Sequence, residues 1–265
     1  MRINNVELHV AESGKGPEAV VFSHGLLFSS AMFGAQVAAL NPTYRCVTYD
    51  HRGQGASEVT ETGYDMDTLA DDAAHLIETL GIGPVHFVGL SMGGFVGMRL
   101  AIHRPDLLRS LTLIDTSPDP EPQENHAKYR MLNFVARWFG LKLVMGRVMP
   151  ILFGTTFLGD PARAQERDFW RGQIAGGDRI GVTRAVAGVV ARAGVSDDLG
   201  AIKTPTLIIV GAEDVATPPE KSNHLLAAIA GAQLAVIPHA GHSSTLEQPD
   251  AVSTAIKEFL ATIDS

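Results

Sequence analysis

Val85-His86-Phe87-Val88-Gly89-Leu90-Ser91-Met92-Gly93-Gly94-Phe95-Val96-Gly97-Met98-Arg99-Leu100-Ala101-Ile102 joins an apolar run, a glycine-flanked serine and a helical pattern without a break. Val85 to Val88 reads as a buried strand and Phe95 to Ile102 as a helix. Between them Gly89-x-Ser91-x-Gly93 has the spacing of a nucleophile elbow, a sharp strand-to-helix turn. Ser91 must take a strained backbone there, and side chains at 89 or 93 would collide with their neighbours, which explains both glycines. The turn also puts the Met92 N–H at the start of a helix, where a developing oxyanion meets a donor and the positive end of a dipole.

Upstream, Ala19 to Ser23 is a continuous apolar run, the mark of a strand covered on both faces. It ends in His24-Gly25-Leu26-Leu27, where Gly25 allows a bend and Leu26 N–H is the candidate second oxyanion donor. Arg2 to Val10 is expected as an antiparallel edge strand and Met32 to Leu40 as a short helix. Arg45 to Tyr49 is a strand leading into Asp50-His51-Arg52-Gly53-Gln54-Gly55-Ala56-Ser57, whose polar side chains are assigned to satisfying the loop backbone. Asp65 to Leu80 is an amphipathic helix with Leu69, Ala73, Leu76, Ile77 and Leu80 on one face, Asp71, Asp72, His75 and Glu78 off it, and Gly81 as its stop. Ser110 to Ile114 is another buried strand, closing at Asp115.

This alternation predicts a parallel sheet with right-handed crossovers. It lapses from 118 to 200, where Met131 to Trp138, Leu141 to Phe153, Pro161 to Ile174 and Ile180 to Arg192 read as helices. The expected architecture is therefore an α/β core, 1–117 and 201–265, with a mostly parallel central sheet and a helical cap, 118–200, inserted over the carboxyl edge. Trp138, Met145, Met149, Phe153 and Trp170 are its candidate pocket residues; the same apolar side chains could instead build a homodimer face. After the cap, Thr206 to Val210 and Gln233 to Ile237 are strands, Pro219 to Ile229 is a helix, and Pro249 to Ile263 closes the chain.

Three strand-end loops carry Ser91, Asp214 and His242 in that order, and in a parallel sheet such loops share one edge. A serine hydroxyl needs a base, which His242 supplies, and Asp214 holds the imidazole and stabilises its cation. Asp115 and Glu213 compete for the acid role and His239 for the base. The His239-x-x-His242 spacing lacks the further ligands of a metal site, so neither metal nor cofactor is expected.

The chain has 265 residues with 45% apolar content, enough for one large α/β domain. A net charge of −8 argues against nucleic-acid or anionic-membrane partners, and the serine, histidine and aspartate make a small-molecule ester or lactone the expected one. The single cysteine, Cys46, excludes a disulfide framework and reads as a buried thiol. Met1 to Val6 has no apolar signal-peptide core and no apolar stretch is long enough to span a bilayer, so a cytoplasmic location is the expectation.

His24-Gly25, Asp50 to Ser57, Gly89 to Gly94, Gly211-Ala212-Glu213-Asp214, and Gly241-His242 followed by Glu247-Gln248-Pro249 together resemble the α/β-hydrolase superfamily over nearly the whole chain. The likeness is greatest to its capped esterase, enol-lactonase and cofactor-free haloperoxidase group. It implies Ser91 as nucleophile, Asp214 as acid and His242 as base. Serine at the elbow separates the chain from the similar dehalogenases and epoxide hydrolases, which use aspartate. Ser243 stands where carbon–carbon bond hydrolases carry an aromatic. Enol-lactones are acidic, so that substrate class would need cap arginines, of which Arg137, Arg147, Arg163, Arg171 and Arg179 are available. The expected activity is serine-dependent cleavage of small, largely apolar esters. The alternatives are an enol-lactonase or carbon–carbon hydrolase, a non-catalytic ligand receptor, and a peroxide-dependent side activity.

Overall fold

The computed structural model describes residues 1–264. Its N-terminal segment is not the single edge strand expected from Arg2 to Val10. β1 (Arg2–Ile3) and β2 (Val6–Glu7) pair as a small hairpin through Asn4 and Asn5, at φ 44° and 64°. Asparagine tolerates the left-handed backbone that such a two-residue turn requires, and this breaks the strand. The edge strand is β3 (Val10–Ser13). After β4 (Ala19–Ser23), β5 (Arg45–Tyr49) pairs antiparallel with β3 and parallel with β4.

β6 (Val85–Leu90), β7 (Leu108–Ile114), β8 (Thr206–Gly211) and β9 (Gln233–Ile237) complete a seven-stranded sheet in the order β3-β5-β4-β6-β7-β8-β9, parallel throughout except for β3. The chain winds outward from β4 to β5, then crosses back to β6 on the other side. That reversal sets the loops after β4 and β6 beside each other at the carboxyl edge, where open parallel sheets hold their ligands. Register makes the point local: Ser23 pairs with Gly89, so Gly25-Leu26 and Ser91-Met92 leave the sheet at the same level.

Alternate strand residues point to opposite faces. On one face Val21, Val47, Phe87, Leu111 and Ile208 meet α2 (Met66–Leu80) and α3 (Met92–His103). On the other, Phe22, Cys46, Val88, Ile114 and Ile209 belong to the core that includes Leu40, Ile256 and Phe259. Leu40 ends α1 (Gly34–Leu40), which a 3₁₀ turn at Ser30–Phe33 precedes, so the helix expected from Met32 begins as a tighter coil. Cys46 is buried and its thiol is pushed up to about 11 by that burial.

α2 shows how the sequence sets its own ends. The Asp65 carboxylate accepts the Thr68 N–H at 2.9 Å, and Gly81 takes the left-handed φ of 61°. Its apolar face is as expected, but Asp72 is buried and forms a two-point ion pair with Arg52, at 2.6 and 2.7 Å. The pair locks the loop after β5 onto the helix, a long-range partner that helical periodicity cannot reveal.

Among the described residues no strand lies between Ile114 and Thr206. The segment holds α4 (Gln123–Phe139), a 3₁₀ turn at Leu141–Leu143, α5 (Met145–Leu152), α6 (Thr155–Gly159), α7 (Ala164–Ala175) and α8 (Arg179–Val190). α9 (Pro219–Ala228) follows β8; α10 (Ser244–Glu247) and α11 (Pro249–Ile263) follow β9. Among the described residues no helix is long and apolar enough to cross a membrane.

Candidate active site

Ser91 occupies the tight turn between β6 and α3 at φ 52°, ψ −110°, a backbone that costs of order 1–3 kcal/mol and persists only where its surroundings enforce it. They do so here. Ser91 N–H bonds to the Ile114 carbonyl at 2.8 Å, and the Thr116 hydroxyl donates to the Ser91 carbonyl at 2.8 Å. A Cβ on Gly89 would meet the Gly93 carbonyl, and one on Gly93 would meet the Ser23 carbonyl. Both glycines are thus fixed by backbone-to-backbone approach.

The three strand-end residues converge. Ser91 Oγ lies 2.8 Å from His242 Nε2, and His242 Nδ1 lies 2.9 Å from Asp214 Oδ2. Asp214 also accepts the Ala216 and Thr217 N–H groups at 2.8 and 3.0 Å and the Thr217 hydroxyl at 2.8 Å. Burial alone would push the His242 imidazole down in pKa. The Asp214 charge and hydrogen bond, with Asp115 and Glu247 behind them, outweigh it and hold His242 above its ordinary value. Asp214 is held below the usual carboxylate range: burial opposes this, and the histidine and the Thr217 donors prevail.

The competing residues have other partners. Asp115 accepts Gly211 N–H at 2.8 Å and the Ser244 N–H and hydroxyl at 3.1 and 2.6 Å, binding the β8 end to α10. Its carboxyl is pushed well up by burial and by the Asp214 charge. Glu213 points away into α6, accepting the Thr155 hydroxyl, the Thr156 N–H and the Thr156 hydroxyl. His239 is exposed.

Leu26, Met92 and Gly93 N–H donate to no acceptor among the described residues, while Gly25, Leu27, Gly94 and Phe95 all do. His24 shapes the Leu26 turn. Its Nδ1–H donates to the Gly25 carbonyl at 2.8 Å and its Nε2 accepts the His51 N–H at 2.9 Å, which requires the neutral ring. Burial, only partly opposed by Asp50, lowers its pKa to match. A Cβ on Gly25 would come within 2.9 Å of Leu90 Cδ2, the movable end of a side chain, and the positive φ, 74°, falls on Leu27. Asp50 accepts Ser30 N–H and Ala56 N–H, the loop-structuring role expected of it.

Ser91 and His242 open into a cavity of about 150 Å³ between the sheet edge and the helical segment. Its apolar wall comes from Leu132 and Ala136 of α4, Met145, Val148 and Leu152 of α5, and Val182, Val186 and Val189 of α8. Of the five expected pocket residues only Met145 lines it. Met149, Phe153 and Trp170 are buried in the core beneath, where Phe153 stacks on Phe157 at 4.9 Å and Trp170 meets Phe28 edge-on at 6.0 Å. Trp138 is 65% exposed on the outer side of α4. Sequence alone identifies an apolar stripe but not which side of a helix faces a cavity. None of the five arginines considered reaches the cavity either; the one that does is Arg192, paired there with Glu121 at 3.1 Å. It lies just past the end of α8, although the sequence pattern carries the helix through it.

A family model described as alpha/beta hydrolase fold matches residues 18–249. The curated relative "Putative carbamate hydrolase RutD" of Stutzerimonas stutzeri is 28% identical over 256 residues, covering 96% of each chain. Among solved structures, a thermophilic esterase from Thermogutta terrifontis superposes with a TM-score of 0.91 at 32% identity, over 98% of this chain and 95% of that one. The enol-lactonase from Burkholderia xenovorans LB400 gives 0.92 at 29%, over 98% and 99%. With its sheet order, its serine elbow and a family match across most of its length, the chain belongs to the α/β-hydrolase fold family and is a hydrolase of that family.

Proposed function

We propose that the chain hydrolyses small carboxylic esters through an acyl-enzyme on Ser91. One observation carries this reading: the unbroken Ser91–His242–Asp214 relay, at 2.8 and 2.9 Å, opening into an apolar cavity. His242 Nε2 accepts the Ser91 proton as Oγ attacks the ester carbonyl, and returns it to the departing alcohol. Asp214 keeps the Nδ1–H tautomer and stabilises the imidazolium. Leu26 and Met92 N–H receive the oxyanion, each contributing roughly 3 kcal/mol to the transition state. Water then takes the alcohol's place, with His242 as its base, and frees the acid. Residues 118–200 act as a cap, whose helices keep the acyl-enzyme in an apolar wall. An apolar cavity of this size accepts a ring on the order of benzene, which sets the substrate scale.

The reading is tested by steady-state hydrolysis of p-nitrophenyl acetate, butyrate and octanoate with EDTA present, for wild type and Ser91→Ala. Turnover that favours butyrate over octanoate and vanishes in the variant supports it. Inactive wild type, or an equally active Ser91→Ala, overturns it. A methyl carbamate and an enol-lactone, followed by product analysis rather than nitrophenolate release, separate ester cleavage from the activities named for the similar proteins.

A further inference from the structure

Arg192 is the one guanidinium facing the catalytic cavity among the described residues. It is buried, its Cζ lies 4.3 Å from the Phe95 ring centroid, and Phe95 stands one turn after Ser91, about 6 Å further along the axis of α3. Nε donates to the Asp119 carbonyl at 3.2 Å; Nη1 donates to Glu121 Oε2 at 3.1 Å and to the Val189 carbonyl at 2.9 Å. Nη2 donates to no acceptor among the described residues. Glu121 is itself held by Asn125 Nδ2 at 2.8 Å, and Tyr129, whose hydroxyl has no hydrogen-bond partner among the described residues, lines the same end.

A mostly apolar cavity, with Asn133 and Thr217 the further polar residues in its wall, therefore carries an ion pair with donors to spare. Burying a guanidinium is costly even when paired, and one set in a cavity wall with free N–H groups marks a recognition point. Burial lowers the Arg192 pKa and Glu121 opposes that shift, as expected of a buried, paired cation. The pairing sets the sign of the recognition. A carboxylate would have to shed its water beside Glu121 and compete with it for Arg192, whereas a neutral carbonyl pays less to enter and still finds a charged donor. We infer that the substrate's arm away from the scissile bond ends in a neutral hydrogen-bond acceptor, a ketone or amide carbonyl, received by Arg192 Nη2 with the Tyr129 hydroxyl beside it, and that Glu121 turns carboxylates away.

This specificity rests on the ester-hydrolase reading and can fail without it. Three isosteric acyl arms separate the cases: methyl 5-oxohexanoate, methyl 5-methylhexanoate and monomethyl glutarate, with release of acid followed by pH-stat. The acetates of 5-hydroxypentan-2-one and 4-methylpentan-1-ol, with 4-acetoxybutanoate, place the same arms on the alcohol side. In at least one set the ketone should exceed the alkyl ester by about tenfold in kcat/KM, the scale of one charge-assisted hydrogen bond, with the carboxylate poorest. Arg192→Met should lower kcat/KM for the ketone more than for the alkyl ester and bring their ratio to about one. Glu121→Gln should raise the carboxylate about tenfold relative to its alkyl isostere, which tests the idea even if Arg192→Met fails to fold. A ketone-to-alkyl ratio near one in both sets, or equal loss on all substrates in Arg192→Met, overturns the inference. If no ester is turned over, calorimetric binding of the ketone and alkyl esters to Ser91→Ala gives the same discrimination without catalysis.

Discussion

Glu247 Oε2 accepts the Gly154 N–H at 2.9 Å and, with the same atom, the Gly241 N–H at 3.0 Å. One carboxylate thereby joins the loop that carries His242 to the segment between α5 and α6. Oε1 adds the Ser243 N–H at 3.2 Å, so the residues on both sides of His242 are held. Arg163 reinforces the junction from above, donating to the Glu247 and Leu246 carbonyls at 2.6 and 2.9 Å.

Glu247→Ala strands three buried N–H groups. Unsatisfied buried donors cost about 1–3 kcal/mol each, so a loss of roughly 3 kcal/mol or more is expected in thermal or denaturant unfolding. Because His242 loses its flanking anchors, kcat should fall further than KM rises. Glu247→Gln retains an acceptor for Gly154 and Gly241 and should be the milder variant in both measurements.

Asp214 and Asp115 separate chemistry from architecture. Asp214→Asn should reduce kcat by roughly 10³- to 10⁴-fold, because the amide favours the wrong imidazole tautomer and cannot stabilise the cation. Asp115→Asn should lower the unfolding midpoint through its bonds to Gly211 and Ser244, with a far smaller effect on kcat. The reverse ranking in stopped-flow turnover would reassign the acid.

His242 must be neutral to accept the serine proton. Its pKa is raised above 6.5, so kcat/KM should fall as pH drops through that raised value, placing the acid limb above 6.5. In Asp214→Asn the raising charge is gone and burial dominates. The residual activity should then keep its plateau to lower pH, which a pH–rate profile on a non-ionisable ester reads directly.

Gly93→Ala forces a methyl group against the Ser23 carbonyl in the middle of the sheet edge. A backbone contact cannot rotate away, so about 3 kcal/mol or more of stability should be lost together with activity. Gly25→Ala meets only the flexible end of Leu90 and should unfold near the wild-type midpoint while turnover drops as the Leu26 donor shifts. Differential scanning calorimetry beside the ester assay distinguishes the two.

The sequence by itself determined the class of fold and the order of its elements. Continuous apolar runs such as Ala19 to Ser23 and Thr206 to Val210 can be buried only in a sheet covered on both faces, and Gly89-x-Ser91-x-Gly93 leaves one tight turn as its solution. It also determined which strand-end loops carry Ser91, Asp214 and His242, because parallel topology brings carboxyl ends to one edge whatever the intervening length. Only the tertiary structure decided matters that depend on direction and long-range pairing. Asp115 and Asp214 each end a strand, and what tells them apart is which carboxylate stands 2.9 Å from His242 Nδ1. Trp138 of α4 and Met145 of α5 both lie in apolar helical stretches, but one faces solvent and the other the cavity, since the rotation of a helix is set by what packs against it. In the sequence Asp72 falls off the apolar face of its helix, Arg52 reads as a loop-structuring side chain, and nothing marks Glu121 and Arg192 as partners. They become buried pairs only when elements 20 and 71 residues apart meet, and no local pattern encodes that meeting.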